Sequence, residues 1–124
     1  MAEKTIVLAI DDNAHQLNEF KLILVPDYDL RVVKSAAEAL SFLNQNESDI
    51  ILLDIEMPNI SGFEFLKDIR KIPSYMDAPI IIVSGNTGKD FLEEARNSSV
   101  ADVLTKPVKP EELIKSIEKA LKND

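Results

Sequence analysis

The sequence contains no cysteine, which excludes disulfide bonds and thiolate metal sites. Basic residues are in the minority, since 14 Lys and Arg stand against 22 Asp and Glu for a formal charge of −8. This balance argues against sequence-independent nucleic-acid binding and against docking on anionic membranes, because both require clustered basic side chains. Long apolar runs are also missing: Met1–Lys4 leads into only five apolar residues, too few for a signal-peptide core or a membrane span.

The size and composition are those of an ordinary globular domain. The chain has 124 residues, of which 45% are hydrophobic and 29% charged, and a chain of this length buries roughly two-thirds of its unfolded surface. We find no internal repeat, low-complexity tract or linker. We therefore expect residues 1–124 to form a single soluble, cytoplasmic domain.

Strand-like and helix-like segments alternate along the chain. Five short runs rich in Ile, Val and Leu read as β-strands, at residues 5–10, 30–34, 50–54, 79–84 and 102–105. Apolar runs without polar interruption are typical of parallel strands that helices cover on both faces. The pattern predicts a three-layer, doubly wound (βα)5 fold, with the flavodoxin-like strand order 2-1-3-4-5.

Local signals support the helices between these strands. Ser35–Glu38 has the spacing of a capping box, in which a hydroxyl and a carboxylate satisfy free N–H groups at a helix start. Leu17, Phe20 and Leu24 recur at intervals of three and four residues, as on the buried face of a helix. Pro110 suits the first turn of the last helix.

Five polar residues lie at the carboxyl ends of four of the predicted strands, either as the last residue or just beyond it. They are Asp11, Asp12, Asp54, Ser84 and Lys106. In an open α/β sheet the carboxyl ends of the strands form the crevice where ligands bind. The fold would therefore bring carboxylates, a hydroxyl and an ammonium to one place.

The acidic residues have structural as well as functional interpretations. Asp12 or Asn13 could simply cap the first helix, and Asp54 could face solvent. Considered together, however, the acids end two strands expected to be neighbours, where carboxylates would repel one another unless a cation is present. Oxygen ligands of this kind suit Mg²⁺ or Mn²⁺, so a metal site is the better interpretation.

Lys106 and Ser84 extend this metal site to phosphoryl chemistry. Alone, Lys106 would be read as a solvated lysine and Ser84 as a turn or capping residue. Pro107 stiffens the turn that directs Lys106, and Gly85 leaves room for an anion beside Ser84. With a metal, these donors match the charge-neutralising groups around a transferring phosphoryl. Asp54 is then the natural nucleophile.

These motifs together resemble the response-regulator receiver domains of two-component signalling. The shared elements are Asp11-Asp12-Asn13, Leu53-Asp54-Ile55-Glu56-Met57-Pro58, Gly62, Ser84-Gly85 and Lys106-Pro107. The resemblance implies that Asp54 accepts a phosphoryl group from a histidine kinase or a histidine phosphotransfer protein. It also implies that Asp12 and Asp54 bind Mg²⁺ directly, Asp11 through water, and Glu56 through its backbone carbonyl.

The same resemblance implies a signalling switch rather than an enzyme that turns over an external substrate. Lys106 would pair with one phosphoryl oxygen, and Ser84 would move to hydrogen-bond another. That movement would rearrange the region of the fourth strand, fourth helix and fifth strand and so change the affinity for a partner protein.

The sequence departs from the family pattern at several positions. Val103 stands where the family usually has an aromatic residue that turns inward on activation, so the conformational readout should differ. Ser99-Val100 replaces a common Gly-Ala pair, so the fourth helix must end without a glycine cap. The Glu56 side chain adds negative charge at the site entrance and is expected to modulate hydrolysis of the acyl phosphate. The single histidine, His15, is expected to be exposed.

Other classes of protein fit the residues less well. An FMN-binding flavodoxin needs a Ser/Thr/Gly phosphate loop where this chain has Asp11-Asp12-Asn13, a P-loop enzyme needs a Gly-rich loop, and a haloacid-dehalogenase-type phosphatase needs an Asp-x-Asp motif. The main alternative is an interaction module of receiver fold whose output is largely independent of phosphorylation. The last helix runs to Asp124, so we expect no output domain, and either a stand-alone receiver or a relay intermediate.

Overall fold

The computed structural model describes residues 4–58 and 60–122, in which strands and helices alternate. The strands are β1 (Ile6–Ile10), β2 (Asp29–Val33), β3 (Ile50–Leu53), β4 (Ile80–Ser84) and β5 (Asp102–Thr105). The α-helices are α1 (Ala14–Leu24), α2 (Ala36–Gln45), α3 (Gly62–Arg70), α4 (Lys89–Arg96) and α5 (Pro110–Lys122). A short 3₁₀ turn, Pro73–Tyr75, separates α3 from β4.

The strands form one parallel sheet in the order β2-β1-β3-β4-β5, which confirms the predicted (βα)5 topology. Every residue of the inner strands β3 and β4 is buried, as are four of the five residues of the third inner strand, β1, whereas the edge strands β2 and β5 are partly exposed. In this strand order β2 and β3 lie on opposite sides of β1. The chain therefore reverses its direction of winding between β2 and β3. That reversal opens a crevice at the carboxyl ends of β1 and β3.

Two apolar cores lie on opposite faces of the sheet. On one face α1 and α5 pack against the strands, and the predicted stripe Leu17, Phe20 and Leu24 is buried there. On the other face α2, α3 and α4 contribute their buried residues to a second cluster. This is the three-layer arrangement that the unbroken apolar strands predict.

The helix starts agree largely with their sequence signals. The Ser35 hydroxyl accepts a hydrogen bond from the Glu38 N–H at 3.1 Å, as a capping box requires. The reciprocal bond is displaced by one residue, because the Glu38 carboxylate accepts from the N–H of Lys34 at 3.5 Å rather than from that of Ser35. Pro110 begins α5 as predicted.

The α4–β5 connection confirms that α4 ends without a glycine. Ser99 adopts φ 61°, the left-handed conformation that glycine usually supplies after a helix. The Arg70 guanidinium donates hydrogen bonds to the backbone carbonyls of Ser99 at 2.9 Å and of Ala78 at 2.6 Å. Arg70 thus ties this strained turn to the start of β4.

Within the described residues, no helix is long and apolar enough to cross a membrane. The sequence expectations that concern Met1–Glu3 and the chain end at Asn123 and Asp124 lie outside the described residues.

Candidate functional site

Backbone hydrogen bonds place the predicted site residues at the carboxyl edge of the sheet. The Asp11 N–H donates to the Val33 carbonyl at 3.2 Å, and the Asp54 N–H donates to the Ile10 carbonyl at 2.9 Å. Both acids thus continue the parallel pairing for one residue beyond β1 and β3. On the other side, the Lys106 N–H donates to the Ser84 carbonyl at 2.9 Å, so the β4 and β5 ends are also in register.

The carboxylates of Asp11, Asp12 and Asp54 converge in the crevice. One oxygen of each lies within 4.8 Å of one oxygen of the others. Asp11 and Asp54 are only 1% and 6% exposed, whereas Asp12 is exposed. An all-oxygen donor set of this kind, open on one side, fits a hard divalent cation such as Mg²⁺. The helix cap is Asn13, whose side chain accepts from the Gln16 N–H at 3.1 Å, which leaves Asp12 available to the crevice.

Lys106 reaches into the acidic crevice. Its ammonium lies 2.8 Å from an Asp11 oxygen and 3.3 Å from an Asp54 oxygen, and the Lys106–Pro107 peptide bond that follows is cis. Burial alone would lower the pKa of Lys106, but the hydrogen bond to Asp11 and the negative charges of Asp54 and Asp11 outweigh it and raise the pKa. Lys106 is therefore held protonated at neutral pH.

The environment of Asp54 differs from that of an ordinary surface aspartate. Burial raises the pKa of the Asp54 carboxyl, and the charge of Asp11 raises it further. The hydrogen bond from the Glu56 N–H, at 2.9 Å, and the Lys106 ammonium offset only part of this rise. A buried carboxylate with a raised pKa beside a cation is a common feature of reactive sites.

Ser84 combines the two interpretations that the sequence left open. Its hydroxyl accepts a hydrogen bond from the Asn86 N–H at 3.2 Å, which makes it a turn residue after β4. The same hydroxyl donates to a Glu56 carboxylate oxygen at 3.1 Å. Ser84 is 1% exposed, so it faces the interior of the site.

Sequence reasoning missed Asn86 and the direction of the Glu56 side chain. The Asn86 amide donates to the second Glu56 carboxylate oxygen at 3.1 Å, and its own oxygen accepts from the Gly88 N–H at 2.8 Å. The sequence places Glu56 near the site entrance but does not indicate that its side chain bridges to the β4–α4 connection. The run Ser84-Gly85-Asn86-Thr87-Gly88 is a turn signal that could have drawn attention to Asn86.

The supporting residues shape the surroundings of the crevice. Gly62 is buried, and a methyl group there would overlap the side chain and carbonyl of Ile55, the residue after Asp54. A methyl group on Gly85 would meet no atom within 4 Å, so the site is open on that side as expected. Val103 is partly buried and packs into the core that α2, α3 and α4 cover.

His15 is exposed, as predicted, and pairs with Glu19 at 2.9 Å on the outer surface of α1.

The fold and the acidic crevice define a flavodoxin-like α/β domain with a candidate site for a divalent cation at the carboxyl edge of its sheet. The chain belongs to the response regulator receiver domain family, whose model matches residues 7–118. Receiver domains of two-component systems bind Mg²⁺ through an acidic pocket, and the Asp11, Asp12 and Asp54 group could hold such an ion. The predicted family and fold are thereby confirmed.

Solved structures and curated relatives agree with this assignment. The chemotaxis response regulator CheY4 of Vibrio cholerae superimposes with a TM-score of 0.87, is 28% identical, and is matched over 96% of this chain and 100% of its own. A protein-glutamate methylesterase/protein-glutamine glutaminase of Rhodopseudomonas palustris is 36% identical over 85% of this chain, and the cyclic di-GMP phosphodiesterase response regulator RpfG of Xanthomonas campestris is 37% identical over 61%. The chain spans only 30% and 20% of the lengths of these two relatives, respectively.

Proposed function

We propose that this protein is a phosphorylation-dependent signalling switch in which Asp54 accepts a phosphoryl group from a histidine kinase or a histidine phosphotransfer protein. The observation that carries the proposal is the position of Asp54, which is buried beside Asp11 and Asp12 with the Lys106 ammonium 3.3 Å away. A nucleophilic carboxylate, a cation site and a fixed positive charge are the groups that phosphoryl transfer requires.

In the proposed reaction an Asp54 oxygen attacks the phosphorus of a phosphohistidine. The new P–O bond forms as the P–N bond breaks, and the leaving imidazole takes a proton from solvent. Asp12 and Asp54, with Asp11 through water and the Glu56 carbonyl, would hold a Mg²⁺ ion, and this ion would supply positive charge beside the transferring group. The Glu56 N–H orients the Asp54 carboxylate through its 2.9 Å hydrogen bond, and Lys106 stabilises the negative charge that accumulates.

The phosphoryl group on Asp54 would then act as a ligand of the domain itself. With a charge of about −1.5 to −2, it favours the state in which Lys106 and the Ser84 hydroxyl both engage it. The protein assists its own phosphorylation and dephosphorylation but is not, in this proposal, a turnover enzyme on an external substrate. Its output is a change in affinity for a partner protein.

We further propose a cytoplasmic protein in which residues 1–124 act as one receiver unit, either delivering the output itself or passing the phosphoryl group along a relay. The acidic surface, with a formal charge of −8, supports protein partners rather than nucleic acid. Relatives whose names give very different whole-protein functions match this domain, so the domain indicates the class of its kinase and of its target but not their identity.

Incubation with acetyl phosphate and Mg²⁺, followed by intact-mass analysis, tests the proposal. We expect a phosphoryl adduct on the wild type that disappears with Asp54→Asn or with a chelator. Asp90→Asn, the same chemical change at an exposed acid in the first turn of α4, should keep the adduct. An unmodified wild type under saturating donor would refute the phosphoacceptor role and favour the alternative, an interaction module whose output is independent of phosphorylation.

A further inference from the structure

The Glu56 side chain is exposed, yet both of its carboxylate oxygens are bonded to the segment that follows β4. One oxygen accepts from the Ser84 hydroxyl at 3.1 Å, and the other accepts from the Asn86 amide at 3.1 Å. The Glu56 N–H meanwhile bonds to Asp54. One residue thus connects the proposed phosphoacceptor to the β4–α4 connection.

The bond to Ser84 is in direct competition with a phosphoryl group. A serine hydroxyl has a single hydrogen to donate, and in this structure Ser84 donates it to Glu56 while accepting from the Asn86 N–H. Ser84 cannot donate to a phosphoryl oxygen and to Glu56 at the same time. Engagement of the phosphoryl group must therefore break the Ser84–Glu56 bond.

We propose that Glu56 is a positioning residue that holds Ser84 and Asn86 in the unphosphorylated state and releases them when Asp54 is phosphorylated. The inference rests on the proposed function, because release requires a phosphoryl group on Asp54. The accumulating negative charge acts in the same direction, since it repels the Glu56 carboxylate as it attracts the Ser84 hydroxyl.

The hydrogen-bond chain continues from Glu56 to α4. The Asn86 amide donates to Glu56 through its nitrogen and accepts from the Gly88 N–H, at 2.8 Å, through its oxygen. Gly88 is the residue that precedes the first turn of α4. Loss of the Glu56 carboxylate frees the Asn86 amide to rotate, and the Gly88 N–H then loses the acceptor that orders the start of the helix.

This chain offers a readout that needs no aromatic residue on β5. Val103 lies in β5 opposite Ile82 and is packed in the core under α2, α3 and α4. It makes no polar contact with Ser84 in the described residues and has no ring to reorient. The side chains from Glu56 through Asn86 to Gly88, in contrast, lead by hydrogen bonds from the site to α4.

The order of donors and acceptors along these hydrogen bonds allows a sharp test in the unphosphorylated protein. In Glu56→Gln the new amide has a single acceptor oxygen for the two donors, Ser84 and Asn86. If that oxygen faces Ser84, the glutamine NH₂ faces the Asn86 NH₂, and if it faces Asn86, the NH₂ meets the Ser84 oxygen and the Ser84 hydrogen loses its acceptor. Either way one wild-type bond is lost. In Asn86→Asp two carboxylates face each other. The double variant Glu56→Gln with Asn86→Asp restores every bond, because the glutamine NH₂ donates to the aspartate while the other aspartate oxygen accepts from Gly88.

The readout is the exchange of the Gly88 amide with water, measured by NMR. The chain has only three glycines, so their signals are readily assigned, and buried Gly62 serves as the internal reference. We expect Glu56→Gln to accelerate exchange at Gly88 by up to about fivefold, the effect of one net hydrogen bond, because the residue 86 side chain is no longer held. The double variant should return toward the wild-type rate. Glu64→Gln, at an exposed glutamate in the first turn of α3, should have no effect. A Glu56→Gln variant without effect, or a double variant that exchanges as fast as Glu56→Gln, would overturn the hydrogen-bond chain.

The second arm repeats the measurement after phosphorylation with acetyl phosphate and Mg²⁺. We expect exchange at Gly88 in the phosphorylated wild type to rise to the level of the unphosphorylated Glu56→Gln variant. An adduct confirmed by mass with unchanged exchange at Gly88 would overturn the release by phosphorylation and leave the phosphoacceptor role intact. A protein that forms no adduct would overturn the proposed function and the release step together.

Discussion

Asp54→Asn should stabilise the protein at neutral pH, although it removes a residue that Lys106 contacts. The asparagine oxygen can still accept from the Glu56 N–H, as Asp54 does at 2.9 Å. The bond to Lys106 is lost, but it is the longer of that lysine's two contacts, 3.3 Å against 2.8 Å to Asp11. The substitution therefore mainly removes a buried charge.

The magnitude follows from the charges around Asp54. At an effective dielectric constant of about 20, Lys106 at 3.3 Å attracts Asp54 by about 5 kcal/mol, and Asp11, within 4.8 Å, repels it by about 3.5 kcal/mol or more. The attraction that remains is smaller than the several kcal/mol that burial of an ion costs. We expect Asp54→Asn to raise the free energy of unfolding by on the order of 1–2 kcal/mol, which is about 4 °C in Tm per kcal/mol for a chain of this size.

The pH dependence of this stability difference shows whether the buried charge of Asp54 causes it. Burial, and then the charge of Asp11, raise the pKa of Asp54 in the folded protein above its ordinary value of 3.8. The folded state thus binds the proton more tightly than the unfolded state, so stability from this group is present below pH 3.8 and lost as the pH rises through the folded pKa. The difference between Asp54→Asn and wild type should be near zero in acid and reach its full value at neutral pH.

Urea unfolding followed by circular dichroism from pH 4 to 8, with EDTA present, measures this difference. Asp12→Asn is the matched control, because Asp12 belongs to the same acidic cluster but is exposed, and its effect should be smaller. A destabilised Asp54→Asn at pH 7, or a difference that does not change with pH, would refute the reasoning.

Two further predictions concern the cations of the site. Mg²⁺ at ten times its dissociation constant should stabilise the wild type by about 1.4 kcal/mol, and Asp54→Asn should lose most of this gain in thermal denaturation; an equal gain in both proteins would contradict a ligand role for Asp54. Lys106→Ala should destabilise the metal-free protein by about 2 kcal/mol at pH 7, because it leaves two buried carboxylates unpaired. Burial lowers the pKa of Lys106, but the hydrogen bonds to Asp11 and Asp54 and the negative charges of both raise it overall. The destabilisation by Lys106→Ala should therefore be complete below the ordinary lysine pKa of 10.5 and fade as the pH rises through the pKa of the folded protein. A destabilisation that persists unchanged in strong alkali would point to lost packing instead.

The strand-end residues could be predicted from the sequence because a simple rule links them. Once the apolar runs are assigned to a parallel sheet, Asp11, Asp54 and Lys106 must share its carboxyl edge, whatever the details of the loops. The choice between Asp12 and Asn13 as helix cap could not be made, since both residue types cap helices and only the backbone geometry decides between them.

The contacts of Glu56 lie beyond this kind of prediction. The residue follows β3 in an irregular segment with neither the two-residue nor the 3.6-residue period that fixes side-chain direction in strands and helices. Its side chain is directed by a second irregular segment, the β4–α4 connection, which is distant in sequence. The second hydrogen bond of the capping box, from the Ser35 N–H to Glu38, was wrongly predicted for a similar reason. A carboxylate on three rotatable bonds can reach either of two adjacent N–H groups, and Glu38 accepts from that of Lys34.

In the proposed switch the Glu56 backbone contacts the phosphoacceptor and the Glu56 side chain contacts the β4–α4 connection. These two roles can be tested separately. The N–H that bonds Asp54, and the carbonyl proposed as a metal ligand, are present in every residue type except for proline's missing N–H. A side-chain substitution such as Glu56→Gln should therefore leave the nucleophile oriented while it weakens the contact with Ser84 or Asn86. If adduct formation and Gly88 exchange respond separately to this substitution, phosphoryl acceptance and its readout depend on different atoms of the same residue.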